Sequence, residues 1–403
     1  MTTASTISPE RAPGRIRVFL TACSAHALHD GLTDTLYVLL PIFQTVFGLN
    51  YAAVGVLRAL YAGSMAGLQV PSAALARRVG SVGILAAGTA LAGAGYLCLG
   101  TAGGLLTLAL ALILGGIGSS TQHPIASSLI ASAYEGRRSR DALGTYNFAG
   151  DLGKVALPTI AAFLIATISW RATTLVIGIA ALAGAGAILF ALGRVPPANT
   201  ASHGESLAKP TEQTVHASRG GFTLLLAIGI IDSATRMSFL TFLPFVLKAK
   251  GAGTPEIGAA LSLLFAGGAA GKLVCGFLGG RLGVLPTVLI TEGGTAVTIM
   301  ALLPLPLSTA FVLLPIIGIA LNGTSSVLYG TVPELVATEK RETAFGVFYT
   351  ATIGAGALSP ILYGLFGDAM GLSMTTLVIA TVVLLTLPLA WQLNPYLVGG
   401  ERR

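Results

Sequence analysis

A stretch near the amino terminus carries four titratable side chains at helical spacing: His26, His29, Asp30 and Asp34. At about 100° per residue, His26, Asp30 and Asp34 share one face of a helix. Two carboxylates one turn apart repel each other, so one of them can hold a proton near neutral pH, and a neighbouring histidine can share or relay it. The pattern predicts a proton-coupling site made of these four residues. The alternative is a fixed hydrogen-bonded cluster that pins the helix to a neighbour.

Polar side chains also interrupt two later apolar stretches. Gln122 and His123 stand directly before Pro124, and a proline inside a helix removes one hydrogen bond and predicts a kink. Asp151 and Lys154 are three residues apart and can pair within one helix. A polar, kinked helix favours a binding site, and a switchable Asp–Lys pair favours a moving part. The alternatives are a locally satisfied histidine and a purely structural ion pair.

The second half of the chain contains a similar pair, Asp232 and Arg236, which are four residues apart in the order that favours an ion pair. Arg58 can neutralise one of the amino-terminal aspartates or extend from the membrane interface to water. Ionisable groups in hydrocarbon are costly, so each is a candidate for a functional role. The candidate substrate-binding residues are Tyr37, Arg58, Gln122, His123, Asn147, Asp151, Lys154, Asp232 and Arg236.

Composition determines which kind of element carries these side chains. Only 10% of the 403 residues are charged, against about 25% in a soluble domain, and the mean hydropathy is +0.82. Such a chain cannot cover a soluble globule with polar side chains, and it is too apolar to be disordered. The alternation typical of a membrane β-barrel is missing from the sequence. We therefore expect an all-α membrane protein.

Twelve apolar stretches are long enough to cross a bilayer as helices, which takes about 20 residues each. These spans are 17–46, 52–74, 82–101, 104–133, 142–167, 172–193, 221–247, 255–278, 284–305, 309–335, 343–367 and 373–394. We expect a cytoplasmic tail (1–16), an amino-terminal six-helix bundle (17–193), a cytoplasmic linker (194–220), a carboxy-terminal six-helix bundle (221–394) and a second cytoplasmic tail (395–403).

The placement of lysine and arginine predicts the orientation. With the amino terminus inside, 16 of these residues fall in cytoplasmic segments and 3 in outer loops, as the positive-inside rule requires. We expect a multi-pass protein of the plasma (inner) membrane with both termini in the cytoplasm. The net charge of +7 is then a topology signal, and no nucleic-acid partner is expected, because no basic stripe carries interleaved aromatic residues.

The two halves of the chain repeat each other at an offset near 203 residues. LLPIF with Pro41 corresponds to FLPFV with Pro244, and LARRVG with Gly80 corresponds to LGGRLG with Gly283. An even number of spans per half places both copies in the same orientation, which is the parallel-repeat plan of transporters that bind substrate near the bilayer midplane. A single-chain channel is the alternative. Because one chain holds both halves, a monomer suffices.

The loop that contains LARRVG resembles the corresponding loop of the major facilitator superfamily. That family's pattern between spans two and three is G-x-L-A-D-R-x-G-R-R. Here the stretch 73–82 reads AALARRVGSV, with Arg77 at the family's acidic position. The resemblance implies the major facilitator fold, with two six-helix bundles, and gate residues Arg78, Gly80, Arg281 and Gly283. In that family, an acid–base contact between these loops closes the cytoplasmic gate. The resemblance therefore also implies that this contact lacks its acidic residue here. The alternative is that both arginines only anchor the cytoplasmic side.

Within that superfamily, the chain is similar to the fosmidomycin-resistance type of drug exporter. The likeness rests on His26-Ala27-Leu28-His29-Asp30 and on the His123-Pro124 pair after a Gly/Ser stretch. It implies secondary active transport by alternating access, in the form of proton-coupled export (antiport) of a drug or metabolite. The alternative is proton-coupled uptake of a small organic anion or another metabolite. No ATP-binding P-loop is present in the sequence, and no enzyme activity, catalytic residue, cofactor or metal site is predicted.

Overall fold

The protein is helical along the parts of the chain that its structure describes. The computed structural model describes residues 12–134, 136–193, 218–337 and 340–398. The helices are α1 (Ala12–Phe47), α2 (Tyr51–Val79), α3 (Ser81–Thr101), α4 (Leu105–Ser119), α5 (Gln122–Ala133), α6 (Gly136–Ile168), α7 (Trp170–Leu192), α8 (Arg219–Ala249), α9 (Thr254–Leu282), α10 (Val284–Leu302), α11 (Leu307–Leu335), α12 (Arg341–Met370), α13 (Leu372–Val382) and α14 (Thr386–Val398). A short 3₁₀ segment, Val383–Leu385, joins α13 to α14.

Eleven helical segments among the described residues are long and apolar enough to cross a membrane. The α4–α5 and α13–α14 pairs each count as one of these segments. The remaining helix, α1, is 36 residues long and is less apolar because the polar cluster of the proposed coupling site interrupts it. The prediction of an all-α membrane protein with helices at the twelve predicted positions is confirmed.

The helix boundaries display the internal repeat directly. Tyr51–Val79 and Thr254–Leu282 are both 29 residues long, and their bounds differ by 203 positions at each end. The turn that follows each of them contains a glycine at the same offset: Gly80 has φ 116° and Gly283 has φ 84°. Side chains rarely adopt this backbone region. Both glycines are therefore needed to reverse the chain between two consecutive helices.

The fourth span is interrupted near its middle. Helix α4 ends at Ser119 and α5 begins at Gln122, so the break lies just before Pro124, where the sequence predicts a kink. Pro124 falls in the first turn of α5, where its missing amide hydrogen costs little because that amide has no helical acceptor.

Several predicted boundaries differ from the structure. Helix α1 begins at Ala12 rather than at 17, α2 continues to Val79 rather than ending at 74, and α6 begins at Gly136 rather than at 142. Helix α8 begins at Arg219 within the predicted linker, and α14 continues to Val398. Hydropathy marks only the apolar part of a helix, whereas the backbone hydrogen bonds continue into polar flanks. The Ser218 side chain caps α8 by accepting a hydrogen bond from the amide of Gly221 at 3.1 Å. Residues 1–11, 194–217 and 399–403, which include most of both tails and of the linker, lie outside the described residues.

The chain forms two compact units that differ from its sequence halves. The first unit comprises the described parts of 1–33, 64–157 and 171–206. Its core includes a cluster around Ala22 of α1, Leu85 of α3 and Ile125 of α5. The second unit comprises the described parts of 34–63, 158–170 and 207–403. Part of its core lies around Leu225, Val288, Leu328 and Phe348.

Contacts within the second unit explain why it includes segments of the amino-terminal half. The Asp368 carboxylate accepts hydrogen bonds from the amides of Tyr51 and Ala52, at 2.7 and 3.0 Å. It thereby satisfies two amides at the start of α2 that have no acceptor within the helix. The Thr159 hydroxyl of α6 is hydrogen-bonded to Ser262 of α9. These bonds tie the start of α2 and the end of α6 to carboxy-terminal helices.

Candidate functional site

The most concentrated set of charges in the first unit surrounds Asp30 of α1. The carboxylate lies 3.3 Å from Nε2 of His26, 3.6 Å from Nε2 of His123 and 3.3 Å from Nζ of Lys154. Lys154 also lies 4.0 Å from the Asp151 carboxylate on its own helix. The side chain of Asp30 is only 10% exposed. We call these five residues, from α1, α5 and α6, the Asp30 cluster.

The hydrogen-bond roles of the two His26 ring nitrogens follow from their neighbours. Nδ1 lies 2.8 Å from the backbone carbonyl oxygen of Tyr146, which can only accept, so Nδ1 carries a hydrogen and donates it. In the neutral imidazole, Nε2 then presents a lone pair towards the carboxylate of Asp30. Two acceptors 3.3 Å apart repel each other unless a proton lies between them. The geometry therefore creates a place for one proton between His26 and Asp30.

Charge balance leads to the same requirement. The Asp30 cluster contains two carboxylates and one lysine, so with neutral histidines it carries an unbalanced negative charge. One added proton makes the cluster neutral. Buried charges persist only when they are compensated, so one proton on this cluster is the arrangement with the lowest cost.

Close packing of α6 against α1 positions the cluster. A Cβ atom at Gly150 would lie 2.7 Å from the His26 ring and 2.8 Å from the Asp30 carboxylate. Only glycine leaves room for both side chains at this point. The His26 ring also stacks on the Tyr146 ring, with centroids 4.1 Å apart, and Gln122 donates to the Tyr146 hydroxyl at 3.3 Å. Both helices thus hold the imidazole in one orientation.

One ligand set in the cluster has the spacing of a metal site. Donor atoms of His26, Asp30 and His123 all lie within 4.8 Å of one another. The ammonium of Lys154 already supplies positive charge 3.3 Å from the Asp30 carboxylate, in the place where a cation would be needed. We therefore interpret the cluster as an ion-pair and proton site.

His29 lies apart from the Asp30 cluster in its hydrogen bonding. Its Nε2 is 2.9 Å from the hydroxyl of Thr89 on α3, and that hydroxyl donates to the carbonyl of Leu85 at 2.9 Å. Nε2 of His29 is therefore the donor to Thr89. Nδ1 has no hydrogen-bond partner among the described residues. This histidine connects α1 to α3, which is the arrangement of the fixed cluster considered as the alternative.

Asp34 belongs to a different set of residues from Asp30. Both Asp34 and Tyr37 act electrostatically on Arg58 of α2, which is only 2% exposed. The guanidinium donates to the Tyr37 hydroxyl at 3.0 Å and lies 5.0 Å from the centre of the Tyr37 ring. Of the two aspartates that were candidates to neutralise Arg58, Asp34 is therefore the one that acts on it.

The second unit contains its own buried acid–base group on α8 and α10. The carboxyl groups of Asp232 and Glu292 are neighbours, and both residues are buried, at 5% and 2% exposure. Nη2 of Arg236 lies 3.9 Å from the Asp232 carboxylate. Two neighbouring buried carboxylates repel each other when both are ionised, and one proton between them relieves that repulsion. One proton on the pair also leaves a single negative charge to balance Arg236.

A small cavity opens beside Asp232 and Arg236. Its lining residues come from α8, α11 and α12 and comprise Gly229, Asp232, Ser233, Arg236, Ser325, Leu328, Tyr329, Phe348 and Thr352.

Sequence reasoning did not predict a role for Glu292, although the internal repeat contains a signal for it. The offset of 203 that relates His29 to Asp232 also relates Thr89 to Glu292. His29 contacts Thr89 in the first half, and Asp232 contacts Glu292 in the second. The same pair of helix positions therefore meets in both halves, with titratable residues at both positions only in the second.

The other predicted residues lie at the surface. Asn147 is exposed on α6 and takes no part in the ion pairs of the Asp30 cluster. Arg78 and Arg281 are exposed at the ends of α2 and α9, and the Arg281 guanidinium lies 4.3 Å from the centre of the Phe277 ring. Gly80 and Gly283 form the turns described above. The proposed gate role of these four residues, Arg78, Gly80, Arg281 and Gly283, stays a prediction.

Comparisons with known proteins agree with this architecture. A bacterial homolog of the human lysosomal transporter Spinster, in an inward-facing and occupied conformation, aligns with a TM-score of 0.80 and 17% sequence identity over 96% of this chain and 98% of that chain. Its inward-facing, unoccupied conformation aligns with a TM-score of 0.79 and 17% identity over the same shares. At this identity the likeness shows the fold alone.

A search among curated protein sequences found no match. The family description that matches is Major Facilitator Superfamily, over residues 22–231 and 224–399, so the two matches together cover nearly the whole chain. The protein is a member of the Major Facilitator Superfamily, a family of membrane transporters.

Proposed function

We propose that this transporter is proton-coupled and that the Asp30 cluster is its coupling site. One observation carries the proposal: Nε2 of His26 faces the Asp30 carboxylate at 3.3 Å while Nδ1 of the same ring donates to a carbonyl. A proton bound between them completes the charge balance of the cluster. Proton-coupled transport needs a group whose charge changes when the proton binds or leaves, and this pair is such a group.

Lys154 provides a way for the proton to change the contact between helices. When Asp30 is ionised, Lys154 holds α6 against α1 at 3.3 Å. When a proton neutralises Asp30, the Asp151 carboxylate, now 4.0 Å away, is still available as an acidic partner, and it lies on the same helix as the lysine. Protonation thus replaces an interhelical ion pair with an intrahelical one. We infer that this exchange loosens α1 from α6 during the transport cycle.

Export of a drug or metabolite is our first candidate for the direction. Its support is the similarity of the His26-to-Asp30 and His123-Pro124 motifs to fosmidomycin-resistance exporters. The 16-to-3 bias of basic residues supports a plasma-membrane location with both termini in the cytoplasm. The presence of both repeats in one chain supports a monomer as the working unit.

Proton-coupled uptake of a small organic anion is the second candidate. It is favoured by the cavity beside Arg236, which offers a positive charge next to a carboxyl pair that can share a proton. In both candidates the Asp30 cluster couples proton movement to transport.

A reconstituted system tests the proposal independently of direction. A substrate is first found by thermal stabilisation of the purified protein against a drug and metabolite library, since a ligand that binds the folded state raises its apparent stability. Proteoliposomes then measure gradient-driven accumulation and substrate exchange without a gradient. We expect Asp30→Asn and His26→Gln to lose gradient-driven accumulation at least tenfold while exchange continues. Gradient-driven accumulation at the wild-type rate and pH dependence in both variants would disprove the coupling assignment.

Direction needs a test in cells. An exporter lowers the cellular content of its substrate, and a protonophore abolishes that effect. An uptake system raises the cellular content, and the protonophore abolishes the rise. The two candidates therefore predict opposite signs for the same measurement.

A further inference from the structure

We propose that the cavity between α8, α11 and α12 binds a small aromatic carboxylate through Arg236, and that each bound anion brings one proton to the Asp232–Glu292 pair. This inference rests on the second candidate of the proposed function and deepens it by assigning a substrate class and a site. The site is separate from the Asp30 cluster, and it uses a glutamate that the coupling proposal does not need.

Arg236 is placed to receive an anion. It lines the cavity, and its side chain is 25% exposed. Its nearest acidic oxygen is 3.9 Å away on Asp232, which is longer than a charge-assisted hydrogen bond. Its Nε has no hydrogen-bond partner among the described residues. Guanidinium groups bind carboxylates through two parallel hydrogen bonds, and this one has donors that the described side chains leave available.

The Asp232–Glu292 pair determines whether a proton binds together with the anion. With one proton between them, the two residues carry one negative charge, which balances Arg236. An added carboxylate would leave the site with an excess negative charge in a buried environment, which is unfavourable. A second proton on the pair removes that charge, because both acids are then neutral and Arg236 pairs with the ligand. One anion and one proton therefore bind together.

Few other groups compete for this proton. The titratable and charged groups that face the pair among the described residues are Arg236 on α8 and the Tyr329 phenol on α11. Helix α12 contributes the hydroxyl of Thr352, which is 3.4 Å from the Tyr329 hydroxyl, and α10 contributes Glu292 itself. The pair and the arginine thus dominate the protonation chemistry of this cavity.

The lining of the cavity favours an aromatic body on the ligand. Leu328, Tyr329 and Phe348 form apolar and aromatic walls, and hydroxyls of Ser233, Ser325 and Thr352 lie among them. Pockets of this type combine apolar walls with a few polar groups that orient the ligand.

Calorimetry with benzoate and its neutral isostere benzamide tests the proposal on the purified full chain in detergent. We expect saturable benzoate binding at pH 6 and benzamide binding at least tenfold weaker. Titration in two buffers with different ionisation enthalpies should show uptake of one proton per benzoate. Benzamide binding as tight as that of benzoate, or no saturable benzoate binding at all, would overturn the assignment.

Three variants make the test specific. Arg236→Gln should weaken benzoate binding at least tenfold, whereas Arg219→Gln, an exposed arginine on the same helix, should leave it unchanged. Asp232→Asn/Glu292→Gln has no carboxyl group left to take up a proton, so it should bind benzoate without proton uptake and with little dependence on pH. Benzoate binding that is tighter than in wild type at high pH cannot arise from misfolding. Equal affinity in wild type and Arg236→Gln, or unchanged proton uptake in Asp232→Asn/Glu292→Gln, would contradict the proposal.

The outcome is separable from that of the coupling test. Benzoate binding is measured without a gradient, so its failure leaves coupling through Asp30 untouched. Loss of coupling in Asp30→Asn with proton-linked benzoate binding intact would show that both sites exist. Proton-linked benzoate binding together with normal coupling in Asp30→Asn would support this inference and disprove the coupling assignment.

Discussion

The ammonium of Lys154 on α6 lies 3.3 Å from the carboxylate of Asp30 on α1, closer than the 4.0 Å that separates it from Asp151 on its own helix. The spacing in sequence favours the intrahelical pair, and the fold favours the interhelical one. This preference makes the Asp30–Lys154 pair a connection between two helices, and it leaves Asp151 as an alternative partner when Asp30 takes up a proton.

Removing the lysine should expose the cost of an uncompensated buried carboxylate. We expect Lys154→Gln to lower the free energy of unfolding by about 1–3 kcal/mol, which is less than for a fully buried pair, because the lysine side chain is 31% exposed and partly screened. Thermal unfolding in detergent measures the loss. The double variant Asp30→Asn/Lys154→Gln should recover part of it, and a double variant that is less stable than Lys154→Gln alone would contradict the pairing.

A methyl group at Gly150 should disturb the coupling site directly. Gly150→Ala places a Cβ within 2.8 Å of His26 and Asp30, and overpacking of this kind costs about 1–3 kcal/mol. Both the melting temperature and the pH dependence of transport should change. Gly144→Ala on the same helix is the matched control, because its Cβ would meet no atom within 4 Å. Equal melting temperatures for the two variants would argue against close packing of α6 at this point.

Arg58 and Asp34 should compensate each other. Arg58→Gln removes a positive charge that acts on Asp34 and the hydrogen bond to the Tyr37 hydroxyl, which we expect to cost about 1–3 kcal/mol. Adding Asp34→Asn removes the acidic charge and should restore part of the lost stability. Arg77→Gln, an exposed arginine on the same helix, should have little effect. A double-mutant cycle on unfolding free energies gives the coupling, and strictly additive effects would exclude the pair.

The two turn glycines should be equally intolerant of substitution. Gly80→Ala and Gly283→Ala each force a side chain into positive φ, at 116° and 84°, which costs about 1–2 kcal/mol per residue. Gly280→Ala, near the end of α9 with open space around its Cβ, should be neutral or stabilise by about 0.5–1 kcal/mol. Melting temperatures compare the three. If one turn variant is harmless and the other is not, the two turns are not structurally equivalent.

Much of the fold was predictable because its signals lie along the chain. Apolar length marks the spans, and the repeat at an offset near 203 places Gly80 and Gly283 in equivalent turns. The break before Pro124 follows from the backbone chemistry of proline. The exact ends of α1 and α14 were not predictable. Hydropathy marks the apolar part of a helix that crosses the bilayer, whereas the helix itself ends at its last backbone hydrogen bond.

The candidate sites were only partly predictable. The sequence identified Asp30, Asp151 and Lys154 as charged residues at helical spacing, but spacing relates residues of one helix only. It grouped His29 with Asp30, whereas His29 is hydrogen-bonded to Thr89 on α3. It did not assign a partner to Glu292, although the repeat relates the Asp232–Glu292 contact to that of His29 and Thr89.

The sequence by itself determined that the chain is a membrane protein with two repeated halves, where its helices lie and which helices carry charge. Hydropathy, proline, glycine and internal repetition are local properties and can be read from residue order. Only the tertiary structure decided that Asp30 meets Lys154, that Arg58 is influenced by Asp34 and that Asp232 meets Glu292. These partners lie on different helices or different turns, and which of them meet depends on how each helix is rotated and how closely it packs.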